Sequence, residues 1–543
     1  MVFARRSTTL LAAIIASCAM VLSLTACTSD NKTVVDGQTT VTSNSAGGVA
    51  VFTPSDGITL NQKMPLNKWA KLVPDLTKAL VDAGFKKGDI NHTTSDSLDK
   101  QSRAIQDFVV DHLSNNTTDD SGIAIAPDNM TLLVAPVVEA DASTRQYGDY
   151  VSQNLSTNDV TDEGATSDGE SSEDDSSKDD SSNTESDSTA SDEQAQAVDR
   201  LVSSLKLAKE SGMHVVLLGN SIEGYKPDAF VKFSDAQTIG KLQAEKMVSK
   251  LKLDKASKDN PKYIEVLLPY TAMDEKGNAN DSTFAQEAFR GIWQVLGSYY
   301  QKGVVESPSG TLDGKSTEND WQAVAYDAAK EGSTAKVLDK RLAKTDGQST
   351  LTRIDGIITM NDYIASEVVK ELDDLGYTGS AADINPQITI SGIVGNITGK
   401  KDLSRDAVPD PIKSPENDNA NDSSSSDDDA DEDTPASDKD RDSQWPLVTG
   451  YGAYVSNIPS IVNGKQWMTG MEDRQTIATD IAQACAKLNK DEALNSMPSI
   501  RNSEVGGVKK VPTISEPLLA VSASNLKSAL IDPGYISLAD AGL

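Results

Sequence analysis

The sequence predicts an α/β protein made of two parallel-sheet lobes, and three observations predict it. Short apolar runs rich in β-branched residues alternate with stretches of helical periodicity, which is the pattern of βαβ units. The alternation comes in two series, divided at the turn Asp259-Asn260-Pro261. A chain of 543 residues with 37% hydrophobic content is also long and apolar enough to fill two cores.

The clearest unit runs from Arg353 to Tyr377. Ile354 to Thr359 is a nearly continuous apolar run and reads as a buried parallel strand. Ile364, Val368, Leu372 and Leu375 then recur at steps of four and three, which places them on one helix face. Asn361 or Asp362 stands where an N-cap belongs, and Gly376 lies just past the end. Ligands of open α/β sheets bind beyond the carboxyl ends of the strands, where Asn361-Asp362 would lie, so a ligand contact and a plain cap are both open.

In the first series, Ala50 to Thr53 is a strand, followed by a helix running to Ala83 with Gly84 as its stop. Pro74 requires that this helix either begin near it or kink there. Helix Leu98 to Leu113, strand Thr131 to Ala135, helix Ala195 to Glu210, strand Val215 to Leu218, strand Phe230 to Phe233 and helix Ile239 to Leu251 follow. The second series has strand Tyr263 to Leu268, helix Phe284 to Tyr299 and strand Val304-Val305. Trp321 to Ala329 and Ala335 to Leu342 read as helical, ahead of the unit already described. Gln387 to Ser391 and Leu447 to Thr449 both look like the next strand, and nothing in the residues decides whether both join one sheet. A short helix near Pro459 to Asn463, a longer one from Arg474 to Leu488 and the ending Val511 to Leu543 complete the chain.

The formal charge is −32, of which −13 falls between Asp159 and Glu193 and −10 between Glu416 and Asp442. The stretches 155–196 and 402–442 are Ser/Asp/Glu/Asn-rich and nearly free of aliphatic residues, too poor in apolar surface to offset the entropy of ordering. They are expected to be disordered acidic insertions. Asp427-Asp428-Asp429 invites a calcium reading, but the turn glycine of an EF-hand loop is missing. The net negative field argues against nucleic acid as a partner. Cys18, Cys27 and Cys485 build neither a disulfide framework nor a zinc site, and no metal or cofactor is expected.

Arg5 and Arg6 precede the apolar stretch Leu10 to Leu24, which has signal-peptide length and ends in Leu24-Thr25-Ala26-Cys27. This ending resembles the lipobox of bacterial lipoproteins. By that resemblance 1–26 is a signal peptide, Cys27 is the diacylated first residue and two acyl chains hold the protein to the membrane. Residues 27–48, polar and unpatterned, then read as a flexible tether.

The two series, the lipid address and the strand-Asn-Asp-helix unit together resemble the type I periplasmic binding proteins of the xylose, ribose and multiple-sugar branch. The likeness is best over Arg353 to Tyr377, Leu447 to Ala478 and Val511 to Ile536. It implies two Rossmann-like parallel-sheet lobes joined by a three-crossover hinge. The expected N-terminal lobe is 49–232 with 470–512, and the C-terminal lobe 233–469 with 513–543. Crossings would fall near Lys232 to Ala236, Met468 to Gly470 and Pro512 to Glu516. The implied partners are a sugar-like solute in the interlobe cleft and the permease and ATPase of an ABC importer, with the chain itself a monomer. In that frame Trp69, after Lys68, and Trp321 would stack on sugar faces, with core packing as the alternative for each. Asn361, Asp362, Asn280 and Asp281 would point at the hydroxyl rim.

The chain departs from that branch at three places. Gly219-Asn220 replaces an Asp-Arg pair, Tyr451-Gly452 replaces a Gln-Asp pair, and Glu472 replaces a Lys or Gln. Charge-assisted bonds from the replaced residues are the strong ones in sugar recognition, so the usual monosaccharides should bind poorly. Tyr451, Tyr454 and Tyr270 are candidate new walls, with Asn220, Tyr451 and Glu472 counted among the ligand-facing residues. A receptor-fold protein acting as a sensor or interaction partner, or a nucleoside receptor, is the alternative function. The chain contains no G-x-S-x-G, H-E-x-x-H or C-x-x-C, and Gly395 to Lys400 lacks the spacing of a phosphate loop, so an enzyme is not expected.

Overall fold

The computed structural model describes residues 34–35, 38–39, 46–55, 65–115, 125–138, 142–151, 153–156, 185–273, 280–328, 330–343, 351–382 and 443–543. The lipobox and Cys27, the Gln387 to Ser391 run, the Gly395 to Lys400 loop, residues 402–442 and most of the first acidic stretch lie outside them. The chain divides into two compact units, Met1–Asn44 and Ser45–Leu543. In the first, Val34–Val35 and Gln38–Thr39 pair antiparallel.

In the second unit the chain runs β1 (Gly48–Pro54), α1 (Trp69–Asp82), β2 (Ile90–Ser95), α2 (Leu98–Asn115) and β3 (Met130–Val134). Next come α3 (Glu185–Glu210), β4 (His214–Leu218) and β5 (Ala229–Lys232). It then passes into α4 (Ala236–Leu251), β6 (Lys262–Val266), α5 (Thr283–Gln301), β7 (Val305–Glu306), α6 (Ser333–Arg341), β8 (Gly356–Ile358), α7 (Asp362–Leu375) and β9 (Leu447–Val448). Strand β10 (Met468–Met471) leads back through α8 (Arg474–Leu488) to β11 (Ile500–Val505) and β12 (Val508–Ser515), and β13 (Leu519–Ser522) begins the C-terminal segment.

Two sheets result. The first has seven strands in the order β11-β12-β5-β4-β3-β1-β2, parallel except for the β11-β12 hairpin. The second is parallel, in the order β7-β6-β8-β9. In the first sheet alternate residues serve opposite faces. Val49, Val51, Leu133, Val216 and Leu218 pack with α1 and α8, while Ala50, Phe52, Leu132, Val215 and Leu217 pack with α2 and α3. A strand covered on both sides has no polar face to show, which is why these read as unbroken apolar runs. The second lobe's core gathers Ile264, Val266, Ile357 and Ile358 with α4, α5 and α7.

Among the described residues three connections join the sheets. The first leaves β5 at Lys232 and enters α4 at Ala236; the second leaves β10 at Met471 and enters α8 at Arg474; the third leaves β12 at Ser515 and enters β13 at Leu519. Strands β10 and β13 pair antiparallel from Met468↔Ser522 to Met471↔Leu519, so two connections run side by side. Leu530, Tyr535 and Ile536 from the C-terminal segment pack beside them on Met471 and Val521.

Several elements differ from the sequence expectation. Helix α3 begins at Glu185, inside the stretch 155–196 expected to be unstructured, and the apolar stripe that fixes it starts only at Ala197 and Val198. The described part of Trp321 to Ala329, residues 321–328, is not a helix. It is one 3-10 turn, Trp321–Ala323, followed by the two-residue strand Ala325–Tyr326, which pairs with Leu268–Pro269. Of the two arrangements expected for α1, a start near Pro74 is not the one found: the helix begins at Trp69 and runs through Pro74. Strand β2 was not foreseen because its sequence, INHTTS, is polar, as an exposed sheet edge permits. The β11-β12 hairpin turns at Gly506-Gly507, both with positive φ.

Candidate functional site

The connections place a set of polar side chains in buried positions between the sheets. Glu472, directly after β10, is 2% exposed. Its Oε1 accepts from the Ser234 backbone N–H at 2.6 Å and from Ser234 Oγ, and Ser234 Oγ also shares a hydrogen bond with Tyr451 Oη. Ser234 belongs to the first connection and Glu472 to the second, so one carboxyl joins them. Burial pushes that carboxyl up to about 7, against the opposing pull of the Ser234 bonds. Burial and the neighbouring Glu472 push the Tyr451 hydroxyl well up, so it stays a donor.

Asp362 is fully buried one residue into α7. Its carboxylate accepts from Gln466 Nε2 at 2.7 Å, from the Tyr454 backbone N–H at 2.9 Å and from Thr469 Oγ1 at 2.9 Å. Burial nevertheless raises it to about 6. These bonds tie the α7 terminus to β10 and to the loop after β9. A Cβ on Gly450 would stand 2.1 Å from an Asp362 carboxylate oxygen, so glycine is required where that loop passes. Asn361 caps α7, accepting from the Ile364 N–H at 2.9 Å.

Gln146 to Tyr150, from the loop after β3, fills the space facing these groups. Asn361 Nδ2 donates to Gln146 Oε1 at 3.1 Å, and Tyr454 Oη donates to the Gln146 carbonyl at 2.8 Å. The Tyr147 ring is 1% exposed and joins the second lobe's core, 4.6 Å from Phe284 and 6.3 Å from Tyr451 between ring centres. On the first-lobe side, the Asp149 N–H donates to the Asn67 carbonyl at 2.8 Å. The Asp149 carboxylate accepts from Lys68 Nζ at 2.8 Å and from the Trp69 N–H at 3.1 Å. Tyr150 Oη donates to the Lys68 carbonyl at 2.5 Å, and its ring stacks 4.8 Å from Phe233. Gly148 has φ +97°, and a Cβ there would lie 2.6 Å from the Asn67 carbonyl oxygen.

The sequence-predicted residues fall into three groups. Asn361, Asp362, Tyr451 and Glu472 come together at the connections. Trp69 and Asn220 lie on the first-lobe side with their surfaces taken: the Trp69 ring is 2% exposed, edge-on to Tyr150 and Phe233, and Asn220 bonds the Gln153 N–H and the Pro136 carbonyl. Trp321, Asn280 and Asp281 sit apart. Trp321 lies edge-on to Tyr270 at 5.1 Å, Asn280 Nδ2 donates to the Thr271 carbonyl, and Asp281 accepts from the Thr283 N–H. Both tryptophans are buried, each edge-on to aromatic neighbours.

No family model matches the chain, and no curated protein does. Solved structures resemble it. An ABC transporter solute-binding protein from Clostridium phytofermentans with bound β-D-glucose is 17% identical, with a TM-score of 0.43, covering 91% of this chain and 99% of its own. A carbohydrate transporter solute-binding protein from Chloroflexus aurantiacus in complex with D-glucose is 18% identical, TM-score 0.43, covering 92% and 98%. A periplasmic ribose ABC transporter protein from Conexibacter woesei is 12% identical, TM-score 0.41, covering 90% and 96%. The two-lobed architecture of this chain stands on its own sheets and connections.

Gln146, Tyr147, Asp149, Tyr150, Asn67 and Ser234 were not singled out from sequence. The signal available for four of them was the run Gln-Tyr-Gly-Asp-Tyr. With aromatic residues at only 5% of the chain, two tyrosines bracketing Gly-Asp beside an acidic stretch mark a segment that packs rather than a spacer.

Proposed function

We propose that the chain is an extracytoplasmic solute-binding protein. It is held to the membrane through a lipid on Cys27, clasps a sugar or sugar-like solute between its lobes and presents it to the permease and ATPase of an ABC importer. The observation that supports this reading is that the chain passes between its two sheets three times, with the Asn361 turn beside one sheet and Lys68 beside the other both bonded to the short segment 146–149, as groups on two sides of a closing cleft would be. The lobes correspond to 49–232 with 470–512 and 233–469 with 513–543, moving about the three connections. Asn361, Tyr451, Tyr454 and Glu472 would face the guest, offering amide, phenol and carboxyl groups to a hydroxyl rim.

A thermal-shift screen over hexoses, pentoses, inositols, oligosaccharides and purine nucleosides tests it. A true guest at a hundred times its Kd raises stability by about 2.7 kcal/mol. A flat response across the panel rejects the solute reading. A second reading is favoured by one observation, the use of Asn361, Tyr454 and Lys68 by the chain's own residues 146–150. On that reading the protein keeps the receptor fold but recognises another macromolecule, and a flat screen with intact folding is its expected result.

A further inference from the structure

We propose that Gln146 to Tyr150 is a built-in occupant of the interlobe cleft, a peptide strap that holds the lobes together and that any guest must displace. The proposal deepens the clasping reading given above and rests on it for the displacement step. The strap belongs by sequence to the first lobe, yet Tyr147 is buried in the second lobe's core. Its polar contacts run both ways, to Asn361 and Tyr454 on one side and to Asn67 and Lys68 on the other. Much of the recognition is of backbone: Tyr454 reads the Gln146 carbonyl, and Asn67 takes the Asp149 N–H. Gly148 lets that backbone approach Asn67 more closely than any residue with a Cβ could.

A strap held in this way is a competitor. The donors that a hydroxylated guest would need, Asn361 Nδ2, Tyr454 Oη and Lys68 Nζ, are each committed to it. If the open, strap-free form is a tenth of the population, the affinity of a guest falls about tenfold. The same arithmetic makes the strap testable with its own peptide, whether or not a solute is known.

The experiment uses the full chain, with Gly148→Ala to drive the strap off Asn67 and Tyr147→Ser as a second release that introduces no backbone strain. Melting curves show whether each variant folds, and if Gly148→Ala does not, Tyr147→Ser is read in its place. The probe is a synthetic peptide of residues 145–151, titrated by calorimetry. The proposal expects the folded variant to bind this peptide about tenfold or more tightly than the wild-type chain. It also expects faster proteolytic cleavage within 145–151. Equal, weak peptide binding by both chains, with unchanged cleavage, overturns the strap. Titration of the same chains with the monosaccharide panel separates the two ideas. Equal sugar affinity in wild type and variant leaves the solute reading and overturns the strap. Peptide discrimination with no sugar binding in either keeps the strap and removes the solute reading.

Discussion

Replacing Glu472 by Gln should make the protein more stable at alkaline pH while changing little in acid. Glu472 is fully enclosed, and its carboxyl is raised from 4.5 to about 7 by burial. In the unfolded chain it ionises near its ordinary value, so between 4.5 and about 7 the unfolded state gives up a proton that the folded state keeps. Stability from this group is therefore full below 4.5, falls as pH rises and has been lost above about 7. At about 1.36 kcal/mol per pH unit, the loss is about 3 kcal/mol. Gln keeps an oxygen for the Ser234 N–H and hydroxyl but cannot ionise. Other titrating groups, including Asp362 and the nearby Asp235, are common to both chains and largely cancel in the difference. Urea denaturation of the full-length pair at about pH 4 and about pH 8 reads it directly. The stability of Glu472→Gln relative to wild type should rise by about 3 kcal/mol from the lower pH to the higher. A difference that does not change with pH, or that favours wild type in alkali, would refute a neutral, buried Glu472 at the connections.

Trp69→Ala should cost about 3–5 kcal/mol of folding stability, because the ring is enclosed by Tyr150 and Phe233; an unchanged urea midpoint would place it outside the core. Asn361→Ser loses the bond to Gln146 but still caps α7, whereas Asn361→Ala loses both and should cost about 1 kcal/mol more. Equal denaturation curves for the two would mean that the cap contributes nothing. Cys27→Ser should move the protein from the membrane fraction to the soluble one, and retention in the membrane pellet would reject the lipid anchor.

The βαβ pattern was legible wherever strands are buried on both faces. Val49 to Phe52, Leu132 to Val134 and Val215 to Leu218 announce themselves by unbroken apolar character. The edges were not legible: β2 is polar because water covers it, and the hairpin of β11 and β12 carries exposed charge at Arg501, Glu504, Lys509 and Lys510. Asn361 as a cap followed from local rules alone. What occupies the cleft did not, because the bonds from Gln146 to Asn361 and from Ser234 to Glu472 join residues more than 200 positions apart, and no local periodicity carries such pairings. Resemblance to sugar receptors directed attention to the positions a guest would touch, and none of the candidate residues it supplied came from 146–150, the segment that bonds Asn361 and Tyr454.

The most direct test of two jaws held by a peptide strap is the distance between them. Spin labels on Lys100→Cys in α2 and Lys370→Cys in α7, both exposed, report it by pulsed electron resonance in a chain with Cys18 and Cys27 replaced by Ser and with Cys485 shielded in the core. The wild-type chain should give one narrow, short distance, and Gly148→Ala should add a second, longer population. Superimposable distributions for two folded chains would contradict the account.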